Sequence, residues 1–379
     1  MKYVLFVVVG MCLQLSALFA QPEFDSLLHL ANRGNAEAQA IIGEFYETGS
    51  GRKTDYGEAV KWYQKAAKAG NARGQNNLGY AYENGHGVER SNTEAIKWYR
   101  KSAAQGFARG ECNLGNMHEK GNGTYVDYAE ALKWYQSAAE KKYDYGYLNV
   151  GRMYENGYSV PKNDTTAVIW YRKAAEAGNA VAQSMLAWML EKGKGAAINE
   201  QEALLWYRRA AHNDNATAQA NLGRLYYFGL AGLARSYKEA EYWLQKASRG
   251  GNAAAQYILG QMHENGIGDE IHKEPAEAIE YYKMAATQKH KSAIYRLGKM
   301  YENGNGIEKD TKEAVFWYQQ GTDAGDVNAM AALGILMYNG DGIAKDTKNA
   351  TLLLQRAANM GSKEAQDFLA TKIKEAENK

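Results

Sequence analysis

The sequence predicts an all-α fold, a right-handed α/α solenoid (superhelix) of about nine helix-turn-helix repeats. Two ladders of residues with a common period predict it. The first ladder is a small residue that follows an apolar one: Gly43, Gly79, Gly115, Gly151, Ala187, Gly223, Gly260, Gly298 and Gly334. The second ladder is a large apolar residue: Trp62, Trp98, Trp134, Trp170, Trp206, Trp243, Tyr281, Trp317 and Leu353. Both ladders advance by 36 to 38 residues per step, a period typical of stacked supersecondary units.

Each repeat is predicted to contain two helices. Two stretches of the second repeat show the spacing i, i+3, i+4, i+7 of one helical face. They are Gln75, Leu78, Gly79 and Tyr82, followed by Ala95, Trp98, Tyr99 and Ser102. Neither helix can bury its apolar stripe alone, whereas stacked pairs of helices can. We therefore expect the tryptophans of the second ladder to form part of the core.

The start of the second helix is marked by a capping pattern. A Ser, Asp or Asn is followed three residues later by Glu, so that the first side chain accepts from free backbone N–H groups and the Glu reaches back. The pairs are Asp55/Glu58, Ser91/Glu94, Asp127/Glu130, Asn199/Glu202, Ser236/Glu239 and Asp310/Glu313. Paired glycines such as Gly85 and Gly87 follow the first helix and are expected to be turns, not phosphate loops.

The chain is predicted to have four parts. Residues 1–20 resemble a secretory signal peptide that is cleaved after Ala20; an uncleaved membrane anchor is the alternative, because a bilayer needs about 20 apolar residues. Residues 21–35 are expected to form an N-terminal capping helix, and residues 363–379 a C-terminal one. Between them lie nine repeats, at about 36–71, 72–107, 108–143, 144–179, 180–215, 216–252, 253–290, 291–326 and 327–362.

Composition argues against several classes of function. The chain has 45 Lys and Arg residues against 43 Asp and Glu, a formal net charge of +2. This balance gives no electrostatic reason to expect a nucleic acid as a partner. Cleavage of the leader would remove Cys12 and leave Cys112, so that no intramolecular disulfide could form. No later stretch is apolar enough to span a membrane, and we expect no stable membrane insertion after cleavage.

The sequence contains no evident catalytic or metal-binding set. His118-Glu119 and His263-Glu264 resemble the start of a zinc-protease motif, but no second histidine follows at the required position. Both histidines occupy a position that holds a tyrosine in other repeats, so a core or groove-edge role is expected. Cys112 has no evident His or Asp partner in its repeat. We therefore predict no enzyme activity, no cofactor and no metal.

The repeated pattern resembles that of the Sel1-like repeat family, a TPR-like group of α-solenoids. The pattern reads A-x-x-Q-x-x-L-G-x-x-Y-x-x-G-x-G, then a cap, then E-A-x-x-W-Y-x-K-A-A-x-x-G-[ND]. The second repeat shows it almost whole, from Ala72 to Gly106. The resemblance covers about residues 36 to 362 and implies the fold. It says less about function, because the repeated residues are the packing residues.

The candidate binding surface follows from the helical register. In right-handed solenoids of helix pairs, the first helix lines the concave side. Its non-core positions lie three and six residues before the ladder glycine and one and four after it. The residues at these positions that we expect to bind a partner protein are Arg73, Tyr80, Arg109, Trp188, Arg224, Tyr227, Tyr257, Tyr295, Lys299 and Tyr338. Aromatic and arginine side chains are the usual anchors of protein interfaces, although an ordinary solvated helix face is an equally good interpretation.

The resemblance implies a range of functions. The leading hypothesis is a non-catalytic scaffold exported to the periplasm, cell surface or medium. Exported bacterial Sel1-like proteins include envelope regulators, host-cell entry factors and binders of secretory immunoglobulin A. One alternative is a β-lactamase-like enzyme, although the cysteine pair that each repeat of such proteins carries is absent here. Another is a lumenal adaptor in protein quality control. The sequence does not identify the partner protein.

Overall fold

The computed structural model describes residues 24–267 and 271–377, and within them the regular structure is α-helical apart from one isolated bridge between Ile267 and Ile271. The predicted signal peptide lies outside the described residues. A short helix, α1 (residues 24–32), comes first. The other helices are α2 (Ala36–Thr48), α3 (Tyr56–Lys68), α4 (Ala72–Asn84), α5 (Asn92–Ala104), α6 (Ala108–Lys120), α7 (Tyr128–Glu140), α8 (Asp144–Asn156), α9 (Asp164–Glu176), α10 (Ala180–Lys192), α11 (Glu200–His212), α12 (Ala216–Phe228), α13 (Tyr237–Arg249), α14 (Ala253–Asn265), α15 (Pro275–Thr287), α16 (Lys291–Asn303), α17 (Thr311–Asp323), α18 (Val327–Asn339), α19 (Thr347–Asn359) and α20 (Lys363–Glu377).

The helices stack as pairs and form an all-α solenoid. The even-numbered helices α2 to α18 are the first helices of the nine repeats, and the odd-numbered helices α3 to α19 are the second helices. Contacts divide the chain into two compact units, residues 1–199 and residues 200–379. The first unit contains α1 to α10, and the second contains α11 to α20. In each unit, every first helix after α2 packs on the second helix of the preceding repeat. It also packs on the second helix of its own repeat, wherever both helices belong to the same unit.

Side-chain caps fix the starts of the second helices. Asp55, Ser91, Asp127, Ser236 and Asp310 each accept a hydrogen bond from the backbone N–H three residues later. The reciprocal half of the predicted pattern is not formed at the first two helices. There, Glu58 and Glu94 accept from Lys61 and Lys97, one turn further on, at 2.5 and 2.6 Å. A long lysine in reach of the carboxylate provides a charged partner in place of a backbone amide.

The paired glycines after the first helices have two separate roles. Gly85 takes the left-handed conformation (φ +75°) that ends α4. Gly87 also has a positive φ, and a Cβ there would overlap the backbone of Tyr56 in the preceding repeat. A Cβ at Gly123, which follows α6, would likewise overlap the backbone of Asn92 at the start of α5. The turn is therefore also a point at which consecutive repeats pack backbone against backbone.

In seven repeats, the largest fully buried side chain of the second helix is the tyrosine that directly follows the residue of the second ladder. Tyr63, Tyr99, Tyr135, Tyr171, Tyr207, Tyr282 and Tyr318 are all 0 or 1% exposed. The ladder tryptophans are buried in only three repeats, at Trp62, Trp206 and Trp243. Trp98, Trp134, Trp170 and Trp317 are half-buried, and lysines one turn away cover some of the rings, as Lys101 covers Trp98 at 4.1 Å. These four tryptophans still pack against core clusters, so the predicted structural role agrees with the packing, although four of the seven rings lie at the edge of the core.

The first-ladder position favours glycine because the tyrosine ring packs directly on the backbone of the first helix. A Cβ at Gly79, Gly115, Gly151, Gly260 or Gly298 would lie 2.5 to 2.8 Å from a ring carbon of the tyrosine in the same repeat. Real Cβ atoms do not approach that closely. The sixth and ninth repeats carry Leu244 and Leu354 instead of tyrosine, and their glycines meet a leucine Cγ at 2.7 and 2.8 Å.

A buried glutamine joins consecutive repeats. The Gln75 amide on α4 donates to the carbonyl of Ala67 at the end of α3, at 3.3 Å. The same bond recurs at the buried Gln183, Gln219 and Gln256. It also joins the terminal helices to the repeats, through the buried Gln39 and the exposed Gln366. In the third repeat Glu111 takes this place and is buried, with Lys141 at 2.8 Å as its ion-pair partner. A buried charge requires such a partner.

We predict that Gly115→Ala destabilises the fold, because the added methyl group would overlap the Tyr135 ring. Overpacking of this kind costs about 1–3 kcal/mol, which should lower the urea midpoint of unfolding followed by circular dichroism. Gly57→Ala is the matched control, since Gly57 lies on the exposed first turn of α3, away from the tyrosine ring. Equal midpoints for the two variants would contradict the packing described here.

We predict a pH-dependent contribution to stability from His118. Burial lowers the pKa of its imidazole, so the fold keeps the ring neutral while the unfolded chain, with a pKa of about 6.5, binds a proton. This stabilisation is present above that unfolded pKa and is lost as the pH falls below it. His118→Tyr, which installs the residue found at the equivalent Tyr82, should reduce the fall in urea midpoint between about pH 7.5 and about pH 5.5. An identical fall in both proteins would rule out this role.

Candidate binding site on the first-helix face

The first helices of the first unit share one face. Helices α2, α4, α6 and α8 contact one another in turn, whereas contacts of similar extent do not join the second helices of this unit. The first helices therefore lie on the inner side of this stack. We call the surface formed by these four helices the first-helix face of the first unit.

A cleft of about 580 Å³ opens on this face. Five asparagines line it, and we call it the asparagine cleft: Asn76, Asn77, Asn113, Asn116 and Asn149. Tyrosines, a histidine and an arginine complete most of the wall: Tyr80, Tyr143, Tyr145, His86 and Arg109. None of its lining side chains is aliphatic. The cleft is consequently a polar and aromatic surface, unlike the alanine- and leucine-rich interior of the repeats.

Three of the asparagines are held in a chain of amide hydrogen bonds. Asn113 donates to the Oδ1 of Asn76 at 2.9 Å, and Asn76 donates to the Oδ1 of Asn77 at 3.0 Å. Asn77 donates in turn to the carboxylate of Glu44 at 2.8 Å. The chain runs across α6, α4 and α2. It fixes the orientation of each amide, because every Nδ2 group has a defined acceptor.

The other two asparagines are fixed by residues of the core and of α8. The Oδ1 of Asn116 lies 2.7 Å from the hydroxyl of the buried Tyr135, which is also 2.6 Å from Glu119. Asn149 accepts from the guanidinium of Arg152 at 3.0 Å, and Arg152 also pairs with Glu119. The floor of the cleft is thereby connected to the tyrosine that anchors the repeat.

The glutamates four residues after the ladder glycine support the core. Each accepts a hydrogen bond of 2.6 or 2.7 Å from the hydroxyl of the buried tyrosine in its own repeat. The pairs are Tyr63–Glu47, Tyr99–Glu83, Tyr135–Glu119, Tyr171–Glu155, Tyr282–Glu264 and Tyr318–Glu302. Burial, followed by this bond, raises the pKa of Tyr135 far above its usual range. These carboxylates therefore have a structural partner although they lie at predicted surface positions.

Both members of this pair change together in two repeats. Where Leu244 and Leu354 replace the buried tyrosine, Tyr227 and Tyr338 replace the glutamate. A carboxylate beside leucine would lose its hydrogen-bond donor, which is costly for a partly buried charge. Two of the residues predicted to bind a partner, Tyr227 and Tyr338, thus occupy their positions for a reason of packing. Tyr227 lies edge-on to Tyr237 and Phe228.

The structure brings three of the predicted site residues together in the first unit. Tyr80 and Arg109 line the asparagine cleft, and Arg73 and Arg109 line an adjoining cleft of about 460 Å³. Arg73 forms ion pairs with Glu37 at 3.0 Å and Glu44 at 3.4 Å. Arg109 lies beside the Tyr143 hydroxyl and opposes the increase that burial causes in the pKa of that tyrosine.

The other predicted residues lie apart from the asparagine cleft. Trp188, on α10, is exposed and has the Lys194 ammonium 5.2 Å from its ring centre. In the second unit, Arg224 lies on α12, and Tyr257 on α14 stacks on His290 at 4.8 Å. Tyr295, on α16, lies 6.0 Å from the ring of Tyr318.

The C-terminal helix covers the last predicted site residues. Phe368 on α20 packs edge-on against Tyr338 at 5.2 Å. Glu364, also on α20, lies 3.9 Å from the ammonium of Lys299, which is 3.7 Å from Glu302 as well. Both predicted residues thus have partners within the second unit, whereas the ring of Tyr80 in the first unit lies edge-on to His86 at 5.8 Å and remains 42% exposed.

Sequence reasoning missed most of the cleft-lining residues. The signal was available, because Asn77, Asn113 and Asn149 recur at an interval of 36 residues, two positions before the ladder glycine. That position lies outside the four that the helical register selected as surface. The contribution of Tyr143 and His86 carried no such signal, since both lie at helix ends or in turns whose direction depends on the tertiary structure.

The described residues contain no group of three or more His, Cys, Asp or Glu side chains that could hold a metal ion. His118 and His263 are buried, and His263 stacks on Tyr281 at 5.6 Å. Among residues 24–267 and 271–377, every helix is too short or too polar to cross a bilayer.

Comparison with known proteins identifies the repeat. The family model described as Sel1 repeat matches nine consecutive segments: 36–71, 72–107, 108–143, 144–179, 180–215, 216–252, 253–290, 291–326 and 327–362. The chain belongs to the Sel1 repeat family. Sel1-repeat proteins typically serve as protein-interaction scaffolds, and their solenoid fold is generally non-enzymatic. A comparison with curated proteins gives no match.

Two solved structures of Sel1-repeat proteins resemble this one. The first is a protective antigen present in uropathogenic Escherichia coli strains that displays an SLR fold; it is 31% identical, with a TM-score of 0.62, and the match covers 90% of this chain and 80% of that one. The second is a Sel1 repeat protein from Oxalobacter formigenes, 36% identical, with a TM-score of 0.55, covering 62% of this chain and 94% of that one. The chain is similar to both in sequence and fold.

We predict that the Cys112 thiol is unreactive in the folded Sel1-repeat protein. It lies in the wall of the asparagine cleft but is buried, and burial raises its pKa, so the nucleophilic thiolate does not form near pH 8. In a Cys12→Ser variant, a disulfide reagent such as DTNB should label Cys112 only after urea is added. Labelling of the native protein as fast as that of free cysteine would contradict this geometry.

Proposed function

We propose that this Sel1-repeat protein is a non-catalytic scaffold that is exported to the periplasm, cell surface or medium and binds a partner protein on the first-helix face of its first unit. The observation that carries the proposal is the asparagine cleft. Its polar and aromatic side chains are held in defined orientations, yet they are not needed to bury the apolar stripe of a helix.

The tyrosines at the edge of the cleft suit a protein interface. Tyr80 and Tyr145 remain 42% and 48% exposed, and Tyr145 lies within 5.7 Å of the ring of Tyr143. Tyrosine contributes a large contact area at a low cost in conformational entropy, and it is enriched among residues that dominate binding energy. Exposed tyrosines around fixed amides therefore support recognition of another polypeptide.

Two observations support export. Residues 1–20 carry a single lysine, Lys2, before a mainly apolar run that ends at Ala20, as expected for a secretory signal peptide. In addition, one similar structure belongs to a protective antigen present in uropathogenic Escherichia coli strains. Export would place the first-helix face in contact with envelope or host proteins, which are the partner classes that we propose.

We predict that Tyr80→Ser together with Tyr145→Ser weakens partner capture at least tenfold without changing the thermal unfolding midpoint, because both side chains are exposed and contribute to binding more than to packing. The measurement is affinity capture from envelope and host-cell extracts, with the partner quantified by mass spectrometry. Tyr125→Ser is the matched control, since Tyr125 is 91% exposed in a turn of the same unit and does not line the cleft.

Capture that is equal for the double variant and the control would reject this face as the binding site. Hydrolysis of a peptide or a β-lactam by the purified protein would reject the non-catalytic assignment.

A further inference from the structure

We infer that the second unit associates with itself through its second helices, so that two copies of this chain form a dimer about a two-fold axis. The contact surface is a row of exposed apolar side chains, which we call the apolar row: Leu205 on α11, Tyr242 on α13, Phe316 on α17 and Leu352 on α19. None of these residues lines the asparagine cleft, and the inference goes beyond the proposed function.

The apolar row occupies one repeated position, immediately before the residue of the second ladder. In the first three repeats this position holds an exposed lysine. From the fourth repeat onward it holds, in order, Ile169, Leu205, Tyr242, Glu280, Phe316 and Leu352. The four members of the apolar row are 47 to 57% exposed. A position that holds lysine in three repeats has no packing need for an apolar side chain, so the exposed apolar residues indicate contact with another molecule.

The hydrogen bonds beside the row show that the fold does not depend on it. In the second repeat, Lys97 occupies this position and pairs with Glu94 at 2.6 Å. In the eighth repeat, Phe316 occupies it, and the equivalent Glu313 accepts from the indole N–H of Trp317 at 3.0 Å. The glutamate has a partner in both kinds of repeat, and the aromatic ring is left at the surface.

The second helices lie on the outer side of the second unit. The first helices α12 and α14 contact each other, as do α16 and α18, whereas contacts of similar extent do not join the second helices of this unit. Two outer surfaces of this kind meet over only a few helices. We therefore expect the contact to be centred on α15, the middle helix of the row, with α13 and α17 on either side.

The order of the row identifies a second copy as the occupant. From α11 to α19, the position holds an aliphatic residue, an aromatic residue, Glu280, an aromatic residue and an aliphatic residue, so the order is the same from either end. A two-fold axis parallel to α15 places α13 of one copy against α17 of the other. Tyr242 then meets Phe316 of the partner subunit, and the same contact forms again on the other side of the axis, as a self-complementary interface requires.

Tyr242 and Phe316 are presented in the same way. Each ring lies edge-on to the tryptophan that follows it, with ring centres 5.1 Å apart and interplanar angles of 80° and 79°. A ring that is already held against a neighbour loses little conformational freedom on binding. The two aromatic contacts of the dimer are therefore alike in geometry as well as in residue type.

The centre of the row suits a two-fold contact. Met284, one turn after Glu280 on α15, is 43% exposed and replaces the cation that Lys101 or Lys173 provides in other repeats; methionine is enriched at interfaces. Glu280 and Lys283 lie 3.0 Å apart, with side chains 69% and 38% exposed. Near the axis, the carboxylate of each copy can also pair with the ammonium of the other, so that the four charges alternate. This pairing offsets the repulsion between two facing glutamates.

A lipid surface fits the row less well. Apolar surfaces that bind membranes combine with cations that attract anionic lipids, whereas the middle of this row carries the exposed carboxylate of Glu280. An anionic membrane repels that carboxylate, while a second copy supplies Lys283 to it.

The test is the mass of the full chain in solution, measured by sedimentation velocity from low to several hundred micromolar. We expect a reversible monomer–dimer equilibrium in the micromolar range, because a contact over three helices belongs with the small, weak interfaces. Tyr242→Lys and Phe316→Lys should each weaken association at least tenfold, since each places an unpaired charge in the interface. Ile169→Lys is the matched control, because Ile169 occupies the same repeated position and is 52% exposed but lies in the first unit.

These variants should fold, because lysine is the residue that the fold itself carries at Lys97, and circular dichroism of each one checks this. Two exchanges then test the pairing. Lys283→Glu should weaken the dimer, and adding Glu280→Lys should restore it, because the charges alternate again. Chains with both Tyr242→Lys and Phe316→Lys, mixed with chains that carry glutamate at the same two positions, should associate at least tenfold more tightly than either chain alone.

A chain that stays monomeric at every concentration would overturn the inference, and binding of that monomer to vesicles of anionic phospholipid would assign the row to a membrane. A dimer that is unaffected by Tyr242→Lys and Phe316→Lys, or oppositely charged chains that do not associate on mixing, would overturn it as well. Partner capture through Tyr80 and Tyr145 is a separate measurement, so the proposed function stands or falls independently.

Discussion

The close packing of a tyrosine ring against a glycine backbone is the contact on which the rest of this structure depends. The ring of the second helix lies on the first helix of the same repeat, and its hydroxyl reaches the glutamate one turn beyond the glycine. Tyr99, Gly79 and Glu83 show the arrangement in full. A phenol can be buried this deeply only because its polar end has a hydrogen-bond acceptor. The residue types at the glycine, tyrosine and glutamate positions are thus coupled, because a change at one of them removes a contact of the others.

Other features of the repeats follow from this constraint. Once the tyrosine occupies the interface within a repeat, the preceding residue points toward the edge of that interface, where Lys101 lies 4.1 Å from the ring of the half-buried Trp98. The interface between consecutive repeats then needs its own connection, which the buried glutamines supply. In the third repeat, the exchange of glutamine for Glu111 requires Lys141 as a counter-ion. Exchanges of polar partners therefore occur in pairs, because a buried group with half of its bonding removed would be destabilising.

The packing residues and the asparagines of the cleft meet at the hydroxyl of a buried tyrosine. The hydroxyl of Tyr135 lies within bonding distance of both Glu119 in the core and Asn116 in the cleft. The core therefore orients the cleft without being exposed to a ligand. A repeated fold can in this way keep its packing contacts while the residues that line a cleft vary from repeat to repeat.

The sequence by itself determined the all-α class, the period of the repeats, the helix caps and the ladder glycines, because these depend on local spacing and on neighbours within one repeat. It also selected Tyr80 and Arg109, which line the asparagine cleft. Only the tertiary structure decided that Tyr99 is buried more deeply than Trp98, since adjacent residues on a helix differ in direction by about 100° and the register against the partner helix sets which one points inward. Only the tertiary structure decided which cations are paired. Arg73 on α4 forms an ion pair with Glu44 on α2, whereas Arg109 forms no ion pair among the described residues. Hydrogen bonds and ion pairs between helices depend on distances that the one-dimensional pattern does not contain.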